Sequence, residues 1–249
     1  MIQEQSKAKR PTVSEMVRAD YRVADVFKKW GINYCCGGNL PMADVCELKG
    51  LDQEKLEAEL LQATKAISIP GAIRFDNWPV PFLVDYISYV HHAYIKAALP
   101  QLTQTITLFV SGHQKKYPYL GDVQQTFLDL GGELMEHVRQ EEESIFPYIK
   151  QVSNTYERKE DYSSLFVQTL RKSLVDSVQS EQGRITALLL LLRQQTNNYT
   201  FSPEACTNHQ VIYHKLKEFD ADLVQHKHLE NNILFPKVLQ MEKELLHQL

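Results

Sequence analysis

The chain contains one pattern twice, as His137-Val-Arg-Gln-Glu141-Glu-Glu-Ser-Ile-Phe146-Pro147 and as His226-Lys-His-Leu-Glu230-Asn-Asn-Ile-Leu-Phe235-Pro236. Both copies read H-x-x-x-E-x-x-x-x-F-P. Residues four apart lie on the same face of an α-helix, so each copy directs an imidazole and a carboxylate to one place. A single pair of this kind is usually a solvated helix pair. The repetition, with Phe-Pro at the same offset, indicates instead that two helices do the same job.

Two such faces opposed across a helical bundle would bring two histidines and two glutamates together. Hard oxygen donors with imidazole nitrogen and no thiolate suit a pair of iron or manganese ions, as in the carboxylate-bridged sites of four-helix bundles. The proline that closes each copy predicts that the helix kinks or ends there.

The composition predicts a soluble globular protein with no nucleic-acid or membrane partner. The 249 residues are 43% hydrophobic, with a net charge of -4 and no basic block. The longest apolar run, Ala187 to Leu192, is too short to span a bilayer, and the polar start lacks the apolar segment of a signal peptide. We therefore expect a cytoplasmic location. Four unevenly spaced cysteines indicate reduced thiols rather than a disulfide framework.

The first part of the chain predicts a small helical domain over residues 1–65. Gly31 occupies a helix C-cap position, and Asp52 is expected to cap a helix over 51–64 whose apolar face is Leu56, Leu60 and Leu61. Cys46 is expected in the core. Residues 66–80 contain two prolines and no helical period, so they predict a linker.

Residues 81–249 predict four long helices joined by short connections, and hence an all-α, up-and-down four-helix bundle. The first runs from about 81 to 111 with a kink at Pro100, and the second starts near Asp122 and passes through Ile145. The third covers about 162–195 and is closed by Asn197-Asn198. Ser202-Pro203-Glu204 is expected to open the fourth, with Cys206 in its first turn.

The first helix offers the pair His91-His92 as a further ligand. Adjacent helical residues point about 100° apart, so only one can face the interior. Helical counting from Leu99 favours His92, and we expect His91 to be a flanking residue that donates to backbone or solvent. The third helix contains no histidine, and its polar candidates are Gln179, Glu181 and Gln182.

In several of these features the chain resembles the iron–sulfur cluster repair di-iron proteins, the repair-of-iron-centres family. These join an N-terminal ScdA-type domain with a Cys-Cys-Gly-Gly turn to a hemerythrin-like four-helix bundle. The resemblance covers nearly the whole chain. It rests on Asn33-Tyr34-Cys35-Cys36-Gly37-Gly38, His92 before Leu99-Pro100, both copies of the repeated pattern, Thr196-Asn197-Asn198, and Pro203-Glu204-Ala205-Cys206.

The resemblance implies two non-haem iron ions bridged by two carboxylates. These fall on Glu141 and Glu230, with histidine ligands on His92, His137 and His226. A further family histidine, in a Ser-Glu-His sequence, is replaced here by Gln182. An amide oxygen is a poorer donor to iron than imidazole, so we expect weak ligation by Gln182, entry of Glu181, or water at that position, and one iron held less tightly.

Cys35 and Cys36 form the other candidate site. Neighbouring cysteines can close only a strained ring, so a disulfide between them is not expected. Exposed on a glycine-flanked turn, they would suit thiol exchange or the capture of released metal; the alternative is two buried, inert thiols.

The resemblance implies repair of iron–sulfur clusters damaged by nitric oxide or peroxide, with iron donated to cluster proteins or scaffold proteins. Two alternatives use the same centre. It could act as a nitric oxide reductase supplied with electrons by the thiols, or as a hemerythrin-like module that binds O2 or NO. A thiol turn argues against a simple oxygen carrier. A homodimer is possible.

Overall fold

The computed structural model describes residues 10–35, 38–65, 73–158 and 183–246. Within these ranges the secondary structure is helical and contains no strand beyond one isolated bridge between Thr12 and Pro41. The prediction of an all-α protein is therefore confirmed. The chain divides into two compact units, one formed by 1–69 with 200–215 and the other by 70–199 with 216–249.

Four short helices build the first unit: α1 Val13–Ala19, α2 Val23–Lys29, α3 Met42–Lys49 and α4 Gln53–Thr64. Thr12 and Glu15 form a capping box at α1, in which the Thr12 hydroxyl accepts from Glu15 N at 3.2 Å and the Glu15 carboxylate accepts from Thr12 N at 2.8 Å. Gly31 follows α2 at φ +66°, and the Asp52 carboxylate accepts from Lys55 N at 3.1 Å. Both predicted caps are confirmed.

The core of the first unit also contains a residue from far along the sequence. Val211 packs with residues of α1 to α4, including Phe27 and Leu56, and Ser14 Oγ lies 3.1 Å from Thr207 Oγ1. Residues 200–215, which the sequence assigned to the bundle, thus belong with the first unit by their contacts. Cys46 is buried as expected, but Leu61 is 74% exposed, so the predicted apolar face of α4 is too wide.

The second unit is built from longer helices that contain π-helical segments. The first comprises α5 Val80–Tyr86, the π segment Ile87–His92 and α6 Ala93–His113, which contains Pro100. The second comprises α7 Leu120–Gln140, the π segment Glu141–Ile145 and α8 Phe146–Arg158. Next comes α9 over 183–195; the predicted start of this helix, near 162, lies outside the described residues. The last comprises α10 Thr207–Leu229, the π segment Glu230–Leu234 and α11 Phe235–Leu246.

The helices do not end at the prolines of the repeated pattern. Pro147 and Pro236 are each the second residue of an α-helix that continues for more than two further turns. Proline cannot donate to the carbonyl four residues earlier. A π turn precedes each proline, and in it Phe146 N donates to Glu141 O and Phe235 N donates to Glu230 O, five residues back.

The connection between α9 and α10 differs from the prediction at one end. Asn197, Asn198 and Tyr199 adopt left-handed φ angles of 47°, 54° and 59°, and Asn198 N donates to Arg193 O at 2.7 Å, so this segment closes α9 as predicted. However, α10 begins at Thr207 rather than near Ser202. The Ser202 hydroxyl accepts from Glu204 N at 3.2 Å, which forms a separate turn, and Cys206 directly precedes the helix.

An apolar cluster fills one part of the second unit. Its buried members come from α5, α8 and α11, from the π segments next to them, and from Leu229 at the end of α10. They include Leu83, Ile87, Ile149, Leu234 and Val238. Further along the same long helices, Leu99, Leu130, Leu134 and Leu223 are also buried. The histidines and glutamates predicted as metal ligands therefore lie between apolar residues along each helix.

Candidate metal centre

Each of three long helices changes from α to π geometry where it supplies a candidate ligand. The segment Ile87–His92 ends with His92, and the two other π segments begin with Glu141 and Glu230. A π turn contains about one more residue than an α turn, so it alters which side chains face inward. Such turns are frequent at functional sites.

Four of the predicted ligands converge closely. One donor atom from each of His92, Glu141, His226 and Glu230 lies within 4.8 Å of the others. His92 Nε2 is 3.2 Å from Glu141 Oε2 and 3.2 Å from His226 Nε2, and His226 Nε2 is 2.5 Å from Glu230 Oε1. All four side chains are buried.

The fifth predicted ligand, His137, joins the same group from the side of Glu141. His137 Nε2 lies 3.3 Å from Glu141 Oε2 and 3.8 Å from Glu230 Oε2. Five of the six residues proposed as ligands are therefore brought together. The sixth, Gln182, lies outside the described residues, so its role stays a prediction.

The chemistry of this group fits a metal ion. Neither carboxylate oxygen of Glu230 makes a hydrogen bond of good geometry, although both are fully buried. Leaving a buried carboxylate without such bonds is costly unless a cation or another partner compensates. The two imidazole nitrogens 3.2 Å apart are likewise spaced as two ligands of one ion would be.

The protonation states also suit metal binding. Burial lowers the pKa of His92 to about 4 and lowers the pKa of His137, so both imidazoles are neutral near pH 7 and keep a lone pair for a ligand bond. Burial by itself would raise the pKa of Glu230. The neighbouring His226, which lies 2.5 Å from Glu230 Oε1, outweighs that effect and brings its pKa to about 2, so Glu230 stays ionised.

A carboxylate outside the group orients His92. Glu142 Oε1 lies 3.1 Å from His92 Nδ1, and Lys96 Nζ donates to both Glu142 oxygens at 2.7 and 2.5 Å. Phe146 stacks on the ring of His92, with centroids 5.3 Å apart. Metal-binding histidines typically have such a carboxylate partner on the second nitrogen. Sequence reasoning missed this pair, although Lys96 lies one helical turn after His92.

The prediction for His91 was wrong. This side chain is 2% exposed, and its Nδ1 lies 2.9 Å from Asp222 Oδ1 rather than facing backbone or solvent. Both histidines are buried, and both lie at the end of the π segment Ile87–His92, where α-helical spacing no longer describes which side chains face inward. Nothing in the sequence marked Asp222 except its position one turn before His226.

The turn that carries Cys35 is fixed to the start of α1. The carbonyls of Gly38 and Leu40 accept from Ser14 N and Val13 N, and Cys35 N donates to Asn33 Oδ1 at 2.9 Å. Cys35 is partly exposed, whereas Cys36 lies outside the described residues. Among the described cysteines there is no disulfide. The proposed thiol chemistry stays a prediction.

No helix in the described ranges is both long and apolar enough to cross a bilayer.

Comparison with known proteins places both parts of the chain in described families. Residues 9–64, which include Cys35, match ScdA_N, a domain of unknown function (DUF542), and residues 86–238, which include all five converging residues, match the hemerythrin HHE cation binding domain. The chain also covers 96% of the iron–sulfur cluster repair protein ScdA of Staphylococcus haemolyticus (strain JCSC1435), at 30% identity over 90% of its own length.

The chain belongs to the family of iron–sulfur cluster repair proteins. Two further members of this family, the proteins named YtfE from Escherichia coli O157:H7 and from Citrobacter koseri, are each 30% identical over 227 residues, which is 91% of this chain and 96% of theirs. The predicted family and the hemerythrin-like helical bundle are thus confirmed.

Proposed function

We propose that this protein repairs damaged iron–sulfur clusters by donating iron that it holds between His92, His137, His226, Glu141 and Glu230. The observation that carries the proposal is the convergence of two buried carboxylates and three imidazoles from three long helices. The relatives named as iron–sulfur cluster repair proteins support the same function.

The donor set supports a dinuclear iron site whose iron can leave. Two carboxylates and three imidazoles would supply about seven donor atoms, whereas two six-coordinate ions would need about twelve. Within the described residues, the remaining positions would be open to water or to an incoming ligand. The donors contain no thiolate, so thiolates of a recipient protein can compete well for the iron.

Donation needs no oxidant or reductant if the iron leaves as Fe(II). The histidine and glutamate ligands exchange for cysteine thiolates of the recipient, and the recipient thiols release their protons to the vacated ligands or to water. We further propose that Cys35 and Cys36 act as carriers in this exchange. We also propose that these cysteines lie in a separate domain over residues 1–65. A linker over 66–80 joins that domain to a bundle over 81–249, of which residues 200–215 make their contacts in the first unit.

The test uses the full chain, loaded anaerobically with Fe(II), and an apo-ferredoxin supplied with sulfide and with a stoichiometric one-electron oxidant, because the assembled cluster contains ferric iron whereas the donated iron is ferrous. Visible circular dichroism monitors the rate of cluster formation. We expect this rate to be the same for the wild type and Glu143→Ala, and to be at least tenfold lower for Glu141→Ala. Glu143 is a matched control because it is exposed, two residues away, and paired with Arg139. Replacing Cys35 and Cys36 by serine tests the carrier role separately.

Two outcomes would overturn the proposal. A wild-type protein that binds no iron would remove it outright. Equal rates for Glu141→Ala and Glu143→Ala would show that iron held by the buried group is not the iron delivered. Formation of nitrous oxide from NO under turnover, without cluster assembly, would support the nitric oxide reductase hypothesis instead, and a reversible O2 complex alone would support the carrier.

A further inference from the structure

His91 is a buried histidine that the proposed ligand set does not use. Its Nδ1 lies 2.9 Å from Asp222 Oδ1, while its Nε2 is buried and makes no hydrogen bond. Its ring is nearly parallel to that of His226, with centroids 5.8 Å apart, and meets Tyr86 edge-on at 5.6 Å. A buried imidazole nitrogen without a partner requires an explanation.

One contact of His91 repeats a contact of His92. Each ring has its Nδ1 against a carboxylate, which is Glu142 for His92 and Asp222 for His91. The Nε2 of each ring is directed away from that carboxylate, and the Nε2 of His92 lies in the converging group. A carboxylate on one imidazole nitrogen and a free, buried second nitrogen together are the arrangement of a metal-binding histidine.

Two polar atoms beside His91 also make no hydrogen bond, namely Asp222 Oδ2 and His226 Nδ1. Asp222 lies one turn before His226 on α10, so both residues face the same side. Buried polar atoms normally have partners, and these three have none within the described part of the chain. Their grouping on neighbouring side chains indicates that a bound ion or ligand occupies this part of the interior.

We propose that His91 is an additional metal ligand of this centre, held in position by Asp222. The proposal rests on the metal centre proposed above and names a residue of it. Together with His92, His137 and His226 it gives four imidazoles and two carboxylates. The chain thereby obtains from its first long helix the imidazole that the resemblance assigns to the third, where Gln182 stands.

The π segment that contains His91 and His92 allows both side chains to face the interior. In regular α-helix, adjacent side chains diverge by about 100°, and one of the pair would face away. In the segment Ile87–His92, both His91 and His92 are buried. We therefore assign to this segment the supply of two ligands rather than one.

The experiment counts histidine ligands in the Co(II)-loaded full chain by proton NMR. Each ligating imidazole gives one exchangeable N–H signal shifted far outside the normal range by the paramagnetic ion. We expect four such signals from the wild type and three from His91→Phe, which keeps an aromatic ring against His226. The control is His228→Phe, because His228 lies exposed on the same helix as His226 and contacts Asn232.

Chelator competition with Co(II) measures the affinity of the same variants. We expect His91→Phe to weaken binding by more than about 100-fold, and Asp222→Asn to weaken it by about 10- to 100-fold while all four signals remain, since Asp222 acts through His91. Far-UV circular dichroism of the metal-free proteins checks folding. If His91→Phe does not fold, His91→Gln replaces it, with the same loss of one signal expected.

Three signals in the wild type, or an affinity of His91→Phe equal to that of His228→Phe, would overturn the proposal. The ligand count and the cluster-assembly assay can fail independently of each other. Four signals in a protein that assembles no cluster would leave His91 a ligand and remove the repair mechanism. Cluster assembly by a protein with three signals would keep the repair mechanism and remove His91 from the ligands.

Discussion

Replacing Glu142 by glutamine should weaken iron binding without harming the fold. The Glu142 carboxylate accepts from His92 Nδ1 at 3.1 Å and from Lys96 at 2.5 and 2.7 Å. Burial opposes ionisation of Glu142, but Lys96 and His92 outweigh it and hold its pKa below the ordinary value, so it bears a charge near pH 7. Glutamine keeps the shape and the acceptor but removes that charge.

Glu142→Gln should reduce the iron affinity much more than the stability of the fold. A carboxylate on the outer nitrogen of a metal-binding histidine is worth about 10- to 100-fold in metal affinity. This corresponds to about 1.4–2.8 kcal/mol of binding free energy. The ion pair with Lys96 is partly exposed, with 43% and 31% of the two side chains accessible, so its loss should change the free energy of unfolding by only about 0–1 kcal/mol.

The assay is anaerobic titration of the metal-free protein with Fe(II) against a competing chelator, with thermal unfolding measured in parallel. Glu143→Gln is the matched control, since it makes the same charge change at the next position, where the side chain pairs with Arg139 at 2.6 Å. Equal iron affinities of Glu142→Gln and Glu143→Gln would refute the role assigned to Glu142.

Three further predictions concern stability. Burial holds the pKa of His92 at about 4, below its ordinary 6.5, so the unfolded metal-free chain binds the proton first. Its stability should therefore fall between pH 7 and pH 5, by about 2 kcal/mol from His92 alone, in urea unfolding at the two pH values. Tyr148→Phe removes a buried 2.8 Å hydrogen bond to Glu242 and should lower the free energy of unfolding by about 1–3 kcal/mol with iron stoichiometry unchanged. Gly38→Ala would bring a Cβ within 2.6 Å of Tyr34 O and should destabilise the first unit by about 1–3 kcal/mol, measured by thermal unfolding.

Each of these has a control in the chain. His92→Gln should reduce the pH dependence, and an unchanged dependence would contradict the pKa argument. Tyr89→Phe alters a tyrosine that is 79% exposed and should leave stability unchanged. Gly112→Ala adds a Cβ into open space within α6 and should stabilise by about 0.5–1 kcal/mol, so a loss equal to that of Gly38→Ala would contradict the steric explanation.

The repeated pattern made much of the site predictable from the amino-acid sequence. A spacing of four residues fixes two side chains to one helical face, so the pairing of His226 with Glu230 and of His137 with Glu141 follows from the spacing alone. The same periodicity indicates the all-α class. Caps at Gly31 and Asp52 were predictable because each depends on a few local contacts.

The errors arose where the local pattern and the tertiary structure disagree. His91 is buried within a π segment, and the spacing of apolar residues does not reveal such a segment. The start of α10 was misplaced because Ser202 has the right residue type for a helix cap but closes a turn of its own. The packing of Val211 with the first unit involves residues nearly two hundred positions away, which no local signal encodes.

The wide turns at Glu141 and Glu230 have a consequence for how related sequences should be compared. Removing one residue between the glutamate and its Phe-Pro would remove the extra residue of the π turn and would rotate the carboxylate away from its partners by about 100°. The number of residues in these two segments thus matters as much as their identity. Single-residue insertions and deletions in these segments, as well as substitutions of the ligands, would therefore separate proteins with this centre from bundles that have lost it.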